Sequence, residues 1–158
     1  MTATEFRFLP RYRAYAWTAI ALGVATAVAA LVGGARGRAL WTAVGFGGGA
    51  AALAALYLRS PVWRYRLRVD DRGVELVDHH GDRRFLVEWT DVVRCVASPD
   101  TRTLALDGGG PERTVVVPGP GAPAPYDVAD KDELYEAIVR RVPPERIERV
   151  DLVELARR

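Results

Sequence analysis

The sequence predicts an α+β membrane protein: an N-terminal transmembrane helical hairpin followed by a small antiparallel β-sandwich or barrel that a C-terminal helix closes. Two runs of residues, 14–32 and 39–58, are apolar and uncharged, whereas apolar and polar residues alternate after Pro61. Charge divides at the same place, because residues 1–68 carry a net charge of +8 and residues 69–158 a net charge of −6. The predicted parts are a cytoplasmic N-terminal segment, the hairpin, a β domain and a terminal helical segment, over residues 1–13, 14–58, 62–142 and 143–158.

Each apolar run is long enough to cross a bilayer. As helices, the 19 residues of 14–32 and the 20 residues of 39–58 span about 28–30 Å, which is close to the thickness of the hydrocarbon core. Tyrosines and tryptophans flank both runs, as they do at membrane interfaces. Two alternatives stay open, namely a soluble alanine-rich hairpin and a signal peptide that is cleaved near Ala27 or Ala29.

Arginines predict the orientation of the hairpin. Seven arginines flank its outer ends, whereas only Arg36 and Arg38 lie in the connecting loop. The positive-inside rule then places both termini of a multi-pass protein on the cytoplasmic side of the cell membrane. Four of the flanking arginines are candidate membrane-surface contacts, either as topology signals alone or as ligands of anionic headgroups; they are Arg59, Arg64, Arg66 and Arg68.

Small residues four apart predict how the two helices pack. Gly23 and Ala27 are the candidates in the first helix. In the second helix, Gly45 and Gly49 form a G-x-x-x-G pair, and a separate row of small residues spaced four apart runs through Gly47. Packing within the hairpin and association between copies of the chain both stay open. Neither run contains a charged residue or a histidine, so we expect an anchor rather than a transporter.

Alternating apolar residues predict six short antiparallel strands in the β domain. Asp70–Gly73 reads as a tight turn in which Gly73 supplies conformational freedom, and residues 108–111 read as a hairpin turn rather than a phosphate loop. The strands are centred on Trp63–Val69, Val74–Asp78, Phe85–Trp89, Val93–Ala97, Leu104–Leu106 and Val115–Val117.

The C-terminal part of the chain has helical spacing. Asp130 and Glu133 predict a capping-box start, Leu134, Ile138 and Val142 predict the buried stripe, and two prolines end the helix. Residues 145–156 are predicted to form a further helix.

The order of these elements resembles that of bacterial pleckstrin-homology-like (PH-like) membrane proteins. The residues that carry the resemblance are RVDDRGVELVDHHGDRRFLVEWTDVVRCV, RTLALDGGG and DKDELYEAIVRRV, within residues 62–142. The resemblance implies a PH-like β domain of seven strands closed by a helix. A seventh strand is therefore either missing or located near Tyr126. Recognition of phosphoinositides is not carried over, because the first turn is Asp70-Asp71-Arg72-Gly73 rather than a basic loop.

The chain has few residues suited to catalysis or metal binding. It contains no Asn or Gln, two serines, and a single cysteine, Cys95, which the apolar alternation places in the core. His79 and His80 are adjacent, so we expect them to point in opposite directions and not to share a metal ion. We expect no enzymatic activity, no cofactor, no metal and no small-molecule substrate. The acidic β domain argues against nucleic acid as a partner.

The combined prediction is a membrane-anchored, non-enzymatic interaction or scaffold module that presents a PH-like domain at the cytoplasmic face of the membrane. Its expected partners are the lipid bilayer and either another protein or a second copy of the chain. The alternative is a membrane-surface sensor that binds anionic lipid headgroups through the arginines beside the hairpin.

Overall fold

In the computed structural model, which describes residues 3–151, the hairpin is inserted into the chain of the β domain. Residues 10–60 form the hairpin. The β domain combines residues 3–9 with residues 61–151. Residues 3–9 are thus part of the β domain, whereas the sequence predicts a separate segment over residues 1–13.

The hairpin consists of two long helices, as predicted. Helix α1 covers Arg13–Val32 and helix α2 covers Arg38–Arg59, so both match the apolar runs to within one residue at each end. Both are long and apolar enough to cross a membrane.

Two glycines set the closest approach of α1 and α2. A Cβ atom on Gly23 would lie 2.2 Å from the carbonyl oxygen of Gly47, and one on Gly47 would lie 2.6 Å from the carbonyl oxygen of Gly23. These separations are too short for any side chain, so the two backbones touch as small-residue interfaces allow. The predicted role of Gly23 in packing agrees with this geometry, and Ala27 is half-buried. Gly45 and Gly49 do not pack within the hairpin, since they are exposed and a Cβ on either would meet nothing within 4 Å.

The β domain contains all six predicted strands, together with three others. The first predicted strand is shorter than expected, because Pro61–Arg64 form a 3₁₀ turn before it. The domain's elements are β1 (Thr4–Pro10), β2 (Arg66–Val69), β3 (Gly73–Val77), β4 (Arg83–Glu88), β5 (Arg94–Ser98), β6 (Thr103–Asp107), β7 (Thr114–Val117), β8 (Tyr126–Val128), α3 (Lys131–Val139) and β9 (Ile147–Arg149).

The strands form two separate sheets rather than a closed barrel. One sheet has the order β4-β3-β2-β1-β8, and the other has the order β7-β6-β5-β9. Strands β1 to β4 pair antiparallel with their neighbours in that run, and so do β5 to β7. β9 pairs parallel to β5. β8 lies near Tyr126, where the sequence left room for a seventh strand.

Strand β1 belongs to the core of its sheet. It lies between β2 and β8, and its Phe6 side chain is 1% exposed. Residues of both sheets and of α3 join Phe6 in a single apolar cluster. Most apolar residues of the predicted strands and helix lie in it, whereas Val93 at the start of the fourth predicted strand is exposed. The residues in the cluster include Leu67, Val69, Val74, Val87, Cys95, Ala97, Leu104, Leu106, Val115, Val117, Leu134, Ile138 and Val142.

The role of Gly73 differs from the sequence prediction. Gly73 does not have a positive φ angle. A Cβ atom there would instead lie 2.2 Å from the carbonyl oxygen of Val87, so glycine is needed for the close approach of β4. The turn is held by Asp70, whose Oδ1 accepts hydrogen bonds from the Arg72 and Gly73 amides at 2.8 and 3.0 Å.

Two predictions about the C-terminal part were wrong. Asp130 precedes α3 with φ 51° and ψ 43°, which is left-handed rather than the extended conformation of a capping residue, and its side chain makes no cap hydrogen bond. Residues 145–149 form the end of a 3₁₀ turn and strand β9 instead of a helix. Residues 150 and 151 are not helical either, and residues 152–156 of that predicted helix lie outside the described residues.

The contact between Gly23 and Gly47 predicts unequal effects of the same substitution at two sites on α2. Gly47→Val should destabilise the hairpin by about 1–3 kcal/mol, because the new side chain overlaps the α1 backbone. The matched control is Gly45→Val, which places the same side chain in open space. Denaturation of the full chain in mild detergent, followed by helical circular dichroism, measures the difference. Equal unfolding of the two variants would contradict this packing.

Candidate functional site

Charged side chains line the outer face of the five-stranded sheet in two rows. The strand register places Glu5, Arg68 and Glu75 side by side across β1, β2 and β3; we call this the balanced row. The next register position places Arg7, Arg66, Val77 and Arg83 side by side; we call this the cationic row. Both rows exist because β1 and β2 alternate, with Phe6 and Leu67 pointing inward and their charged neighbours outward.

Ion pairs stabilise the balanced row. Glu5 accepts hydrogen bonds from Arg66 Nη1 at 2.9 Å and from Arg68 Nη2 at 2.8 Å, and Arg68 Nη1 donates to Glu75 Oε1 at 2.8 Å. The hydrogen bonds from Arg68 and Arg66 lower the pKa of Glu5 from its ordinary value of 4.5. Glu5 is thus an acid that holds two arginines together.

The cationic row has no acidic residue of its own. Arg7 lies directly opposite Arg66, and like charges in directly opposite positions of an antiparallel pair destabilise a sheet. Arg66 reaches the neighbouring row and pairs with Glu5. Within residues 3–151, no acidic side chain forms an ion pair with Arg7 or Arg83.

A pocket of about 330 Å³ opens beside the Arg7–Arg66 pair. We call it the Arg7 pocket. Arg64 lies in the 3₁₀ turn that leads into β2, and His79 follows the end of β3. Guanidinium groups that converge on one cavity are suited to binding an anion. The lining residues are Arg7, Trp63, Arg64, Tyr65, Arg66 and His79.

The turn between β3 and β4 borders this pocket and is fixed by Asp78. The Asp78 side chain is buried; its Oδ1 accepts hydrogen bonds from the His80 and Asp82 amides at 2.8 and 3.1 Å, and its Oδ2 pairs with Arg84 at 3.0 Å. Burial acts to raise the pKa of Asp78, but the two amides and Arg84 outweigh it and lower that pKa overall. Asp78 therefore stays ionised, and its carboxylate oxygens are bound to the turn amides and to Arg84.

The prediction that His79 and His80 point in opposite directions is wrong. Their ring centroids lie 3.8 Å apart, because both residues are in the turn rather than in the extended part of β3. Among the described residues, no group of three or more His, Cys, Asp or Glu side chains is arranged to hold a metal ion.

The four arginines predicted as membrane-surface contacts lie in different surroundings. Arg64 and Arg66 both line the Arg7 pocket. Arg68 is occupied by Glu5 and Glu75. Arg59 ends α2 and belongs to the hairpin.

Sequence reasoning missed Arg7 and His79 as members of the site. The alternation of Glu5, Phe6, Arg7 and Phe8 is the pattern of a half-buried strand and could have revealed β1. The proximity of His79 depends on the conformation of the β3–β4 turn and has no comparable signal in the sequence.

Comparison with known proteins adds no further assignment. No family, no characterised protein and no solved structure matches the chain.

The two hydrogen bonds to Glu5 predict a pH-dependent loss of stability on mutation. A lowered carboxyl pKa contributes stability above pH 4.5 that is lost as the pH falls through the folded-state pKa. Glu5→Gln should therefore destabilise the full chain by about 0.5–1 kcal/mol at pH 7, since the partly exposed pairs are screened by solvent. The difference from wild type should shrink below pH 4.5.

Thermal unfolding of the full chain in mild detergent between pH 3 and pH 8 measures this effect. The control is Glu88→Gln, which removes a carboxylate that pairs with Arg72 alone on the same sheet. A Glu5→Gln effect no larger than that of Glu88→Gln at every pH would refute the bridging role of Glu5.

Proposed function

We propose that the chain is a membrane-anchored, non-enzymatic interaction module. The hairpin crosses the cytoplasmic membrane, both termini lie in the cytoplasm, and a PH-like β domain is presented at the cytoplasmic face to a protein partner or to a second copy of the chain. The observation that carries the proposal is the insertion of an exposed, apolar hairpin between two paired strands of one domain.

The exposed surface of the hairpin supports insertion into a membrane. Large apolar side chains of both helices point outward, and an apolar surface of this extent on a soluble protein would need a partner to cover it. A core helix of a soluble protein would bury such residues. The exposed set includes Leu22, Val28, Leu31, Val32, Trp41, Phe46, Leu53 and Leu56.

The position of β1 argues against a cleaved signal peptide. Cleavage near Ala27 or Ala29 would sever β1 from the rest of the chain. Since β1 lies between β2 and β8 and buries Phe6, its loss would remove an inner strand of the sheet. A retained hairpin avoids this loss.

The pairing of β1 with β2 also supports a common side for both ends of the hairpin. β1 precedes α1 and β2 follows α2, and the two strands pair antiparallel from Thr4 to Arg7. If α1 and α2 both cross the membrane, these strands are on the same side of it. The excess of arginines at this end favours the cytoplasmic side.

The order of the domain's elements supports the PH-like proposal. Seven strands, β2 to β8, lie between the hairpin and helix α3, as the resemblance implies. Strands β1 and β9 are additions to the strands that the resemblance implies. The burial of Cys95, which raises the pKa of its thiol to about 11, supports a structural rather than a nucleophilic role for that residue.

A second candidate function is sensing of anionic lipid headgroups. The Arg7 pocket favours it, because Arg7 and Arg64 converge on one cavity without acidic partners among residues 3–151. The two functions are compatible, since one concerns the anchor and its partner and the other a defined surface pocket.

The proposed topology predicts which single cysteines a membrane-impermeant maleimide labels in intact spheroplasts. Ala35→Cys, in the loop between α1 and α2, should react from outside. Ala3→Cys and Asp71→Cys, both in the β domain, should react only after lysis. Native Cys95 is 0% exposed, so it should remain unlabelled in every variant. External labelling of either β-domain cysteine would refute the orientation, and extraction of the chain by alkaline carbonate would refute the anchor.

The interaction role predicts discrete cross-links in cells. A photoreactive residue at Val93 or Val116, which are exposed apolar positions of the β domain, should capture a defined species at twice the chain's mass or with an identifiable partner. β7, which carries Val116, is an edge strand and is therefore open to pairing. The control position is Arg140, an exposed charged residue just after α3. Absence of any discrete product from both apolar positions would contradict the interaction role.

A further inference from the structure

The cationic row contains a pair of like charges of which the fold compensates only one, because Arg66 pairs with Glu5 whereas Arg7 has no ion pair within residues 3–151. Arg7 and Arg66 occupy directly opposite positions on β1 and β2, where two like charges repel. The adjacent balanced row shows the alternative, since its one arginine, Arg68, lies between Glu5 and Glu75. The sheet therefore places charge pairs correctly at one register position and leaves two cations together at the next.

The acidic groups around the pocket are already occupied. Glu5 pairs with Arg66 and Arg68, and Asp78 is held by two backbone amides and Arg84. Arg7 and Arg64 both line the cavity, and neither forms an ion pair within the described part of the chain. The cavity thus carries excess positive charge that its own surroundings do not neutralise.

The size and lining of the Arg7 pocket fit a phosphate group with a small organic substituent. Its volume of about 330 Å³ is at the lower end of the range of about 300–1,000 Å³ for small-molecule sites. Arg7 and Arg64 offer planar guanidinium groups that bind phosphate oxygens in pairs. The rings of Trp63 and Tyr65 supply apolar walls with polar edges.

We propose that the Arg7 pocket binds the phosphate group of a phosphomonoester, with Arg7 and Arg64 as its principal ligands and Arg66 and His79 at its margin. The same chemistry is presented by a lipid headgroup and by a soluble phosphate ester. The lipid source rests on the membrane placement proposed above, whereas binding of soluble phosphate does not. The bound anion would compensate the repulsion between Arg7 and Arg66.

The first experiment uses the full chain in phosphatidylcholine nanodiscs and inorganic phosphate as the probe. Phosphate should raise the thermal unfolding midpoint of the β domain above that in chloride of equal ionic strength. Arg7→Gln and Arg64→Gln should each weaken phosphate binding about 10–100-fold, which is the loss expected for charge-assisted hydrogen bonds. Arg7→Lys should retain part of the affinity, because it keeps the charge but loses the paired donors.

Arg83→Gln is the matched control. Arg83 is an exposed arginine of the same cationic row and, like Arg7, has no ion pair within residues 3–151, but it does not line the pocket. The Arg83→Gln variant should bind phosphate as the wild type does. Without phosphate, Arg7→Gln should itself raise the unfolding midpoint, because the repulsion with Arg66 is removed. Equal losses of binding in Arg83→Gln and Arg7→Gln would show a diffuse basic surface and overturn the proposal.

The second experiment identifies the source of the phosphate group. Nanodiscs that contain phosphatidic acid present a phosphomonoester, and nanodiscs with phosphatidylglycerol at equal lipid charge present a phosphodiester. Stabilisation by phosphatidic acid but not by phosphatidylglycerol, dependent on Arg7 and reduced by added phosphate, supports a lipid headgroup, whereas equal stabilisation by both lipids overturns the phosphomonoester site. Stabilisation by inorganic phosphate alone supports a soluble phosphate ester. No effect of either probe would overturn the proposed site, whereas external labelling of a β-domain cysteine in the topology experiment would refute only the proposed orientation.

Discussion

The pairing of β1 with β2 is the constraint on which the rest of the β domain depends. β1 is an inner strand that buries Phe6, yet the whole hairpin separates it from β2 in the chain. Closing so long a connection costs conformational entropy, and an antiparallel helix pair lowers that cost by bringing the chain back towards its start. The close contact between Gly23 and Gly47 is therefore relevant to the sheet as well as to the hairpin.

Strand β1 contributes both an acid that neutralises arginines of β2 and an arginine that adds unneutralised positive charge on the outer face. Glu5 neutralises Arg66 and Arg68, and two residues later Arg7 adds a cation opposite Arg66. Without β1, the arginines of β2 would lose the Glu5 bridge, and the Arg7 pocket would lose Arg7 from its lining. The β domain therefore cannot be reduced to residues 62–158 without changing its candidate site.

The sequence alone could predict the elements whose pattern is local. The hairpin and strands β2 to β7 follow from apolar runs and from alternation. β1 was missed because its short stretch precedes the hairpin and has no partner nearby in sequence. β9 was misassigned because the spacing of Ile147, Val150 and Val153 suits a helix, whereas its pairing with β5 is long-range. The sequence gives no reason to prefer one of Gly45, Gly47 and Gly49 as the packing residue. Only the crossing geometry of the helices shows that Gly47 is the one in contact with α1.

The number of arginines beside the hairpin and their placement require different explanations. The positive-inside rule counts basic residues in short flanking segments and is indifferent to the strand position of each one. In the proposed topology it accounts for Arg11, Arg13 and Arg59, and it would be satisfied equally well if Arg7 lay opposite a neutral residue. Instead, Arg7 faces Arg66 and shares a cavity with Arg64. In the proposed topology, the excess of charge follows from the positive-inside rule, whereas the proposed anion site accounts for the placement of Arg7, Arg64 and Arg66 around one cavity.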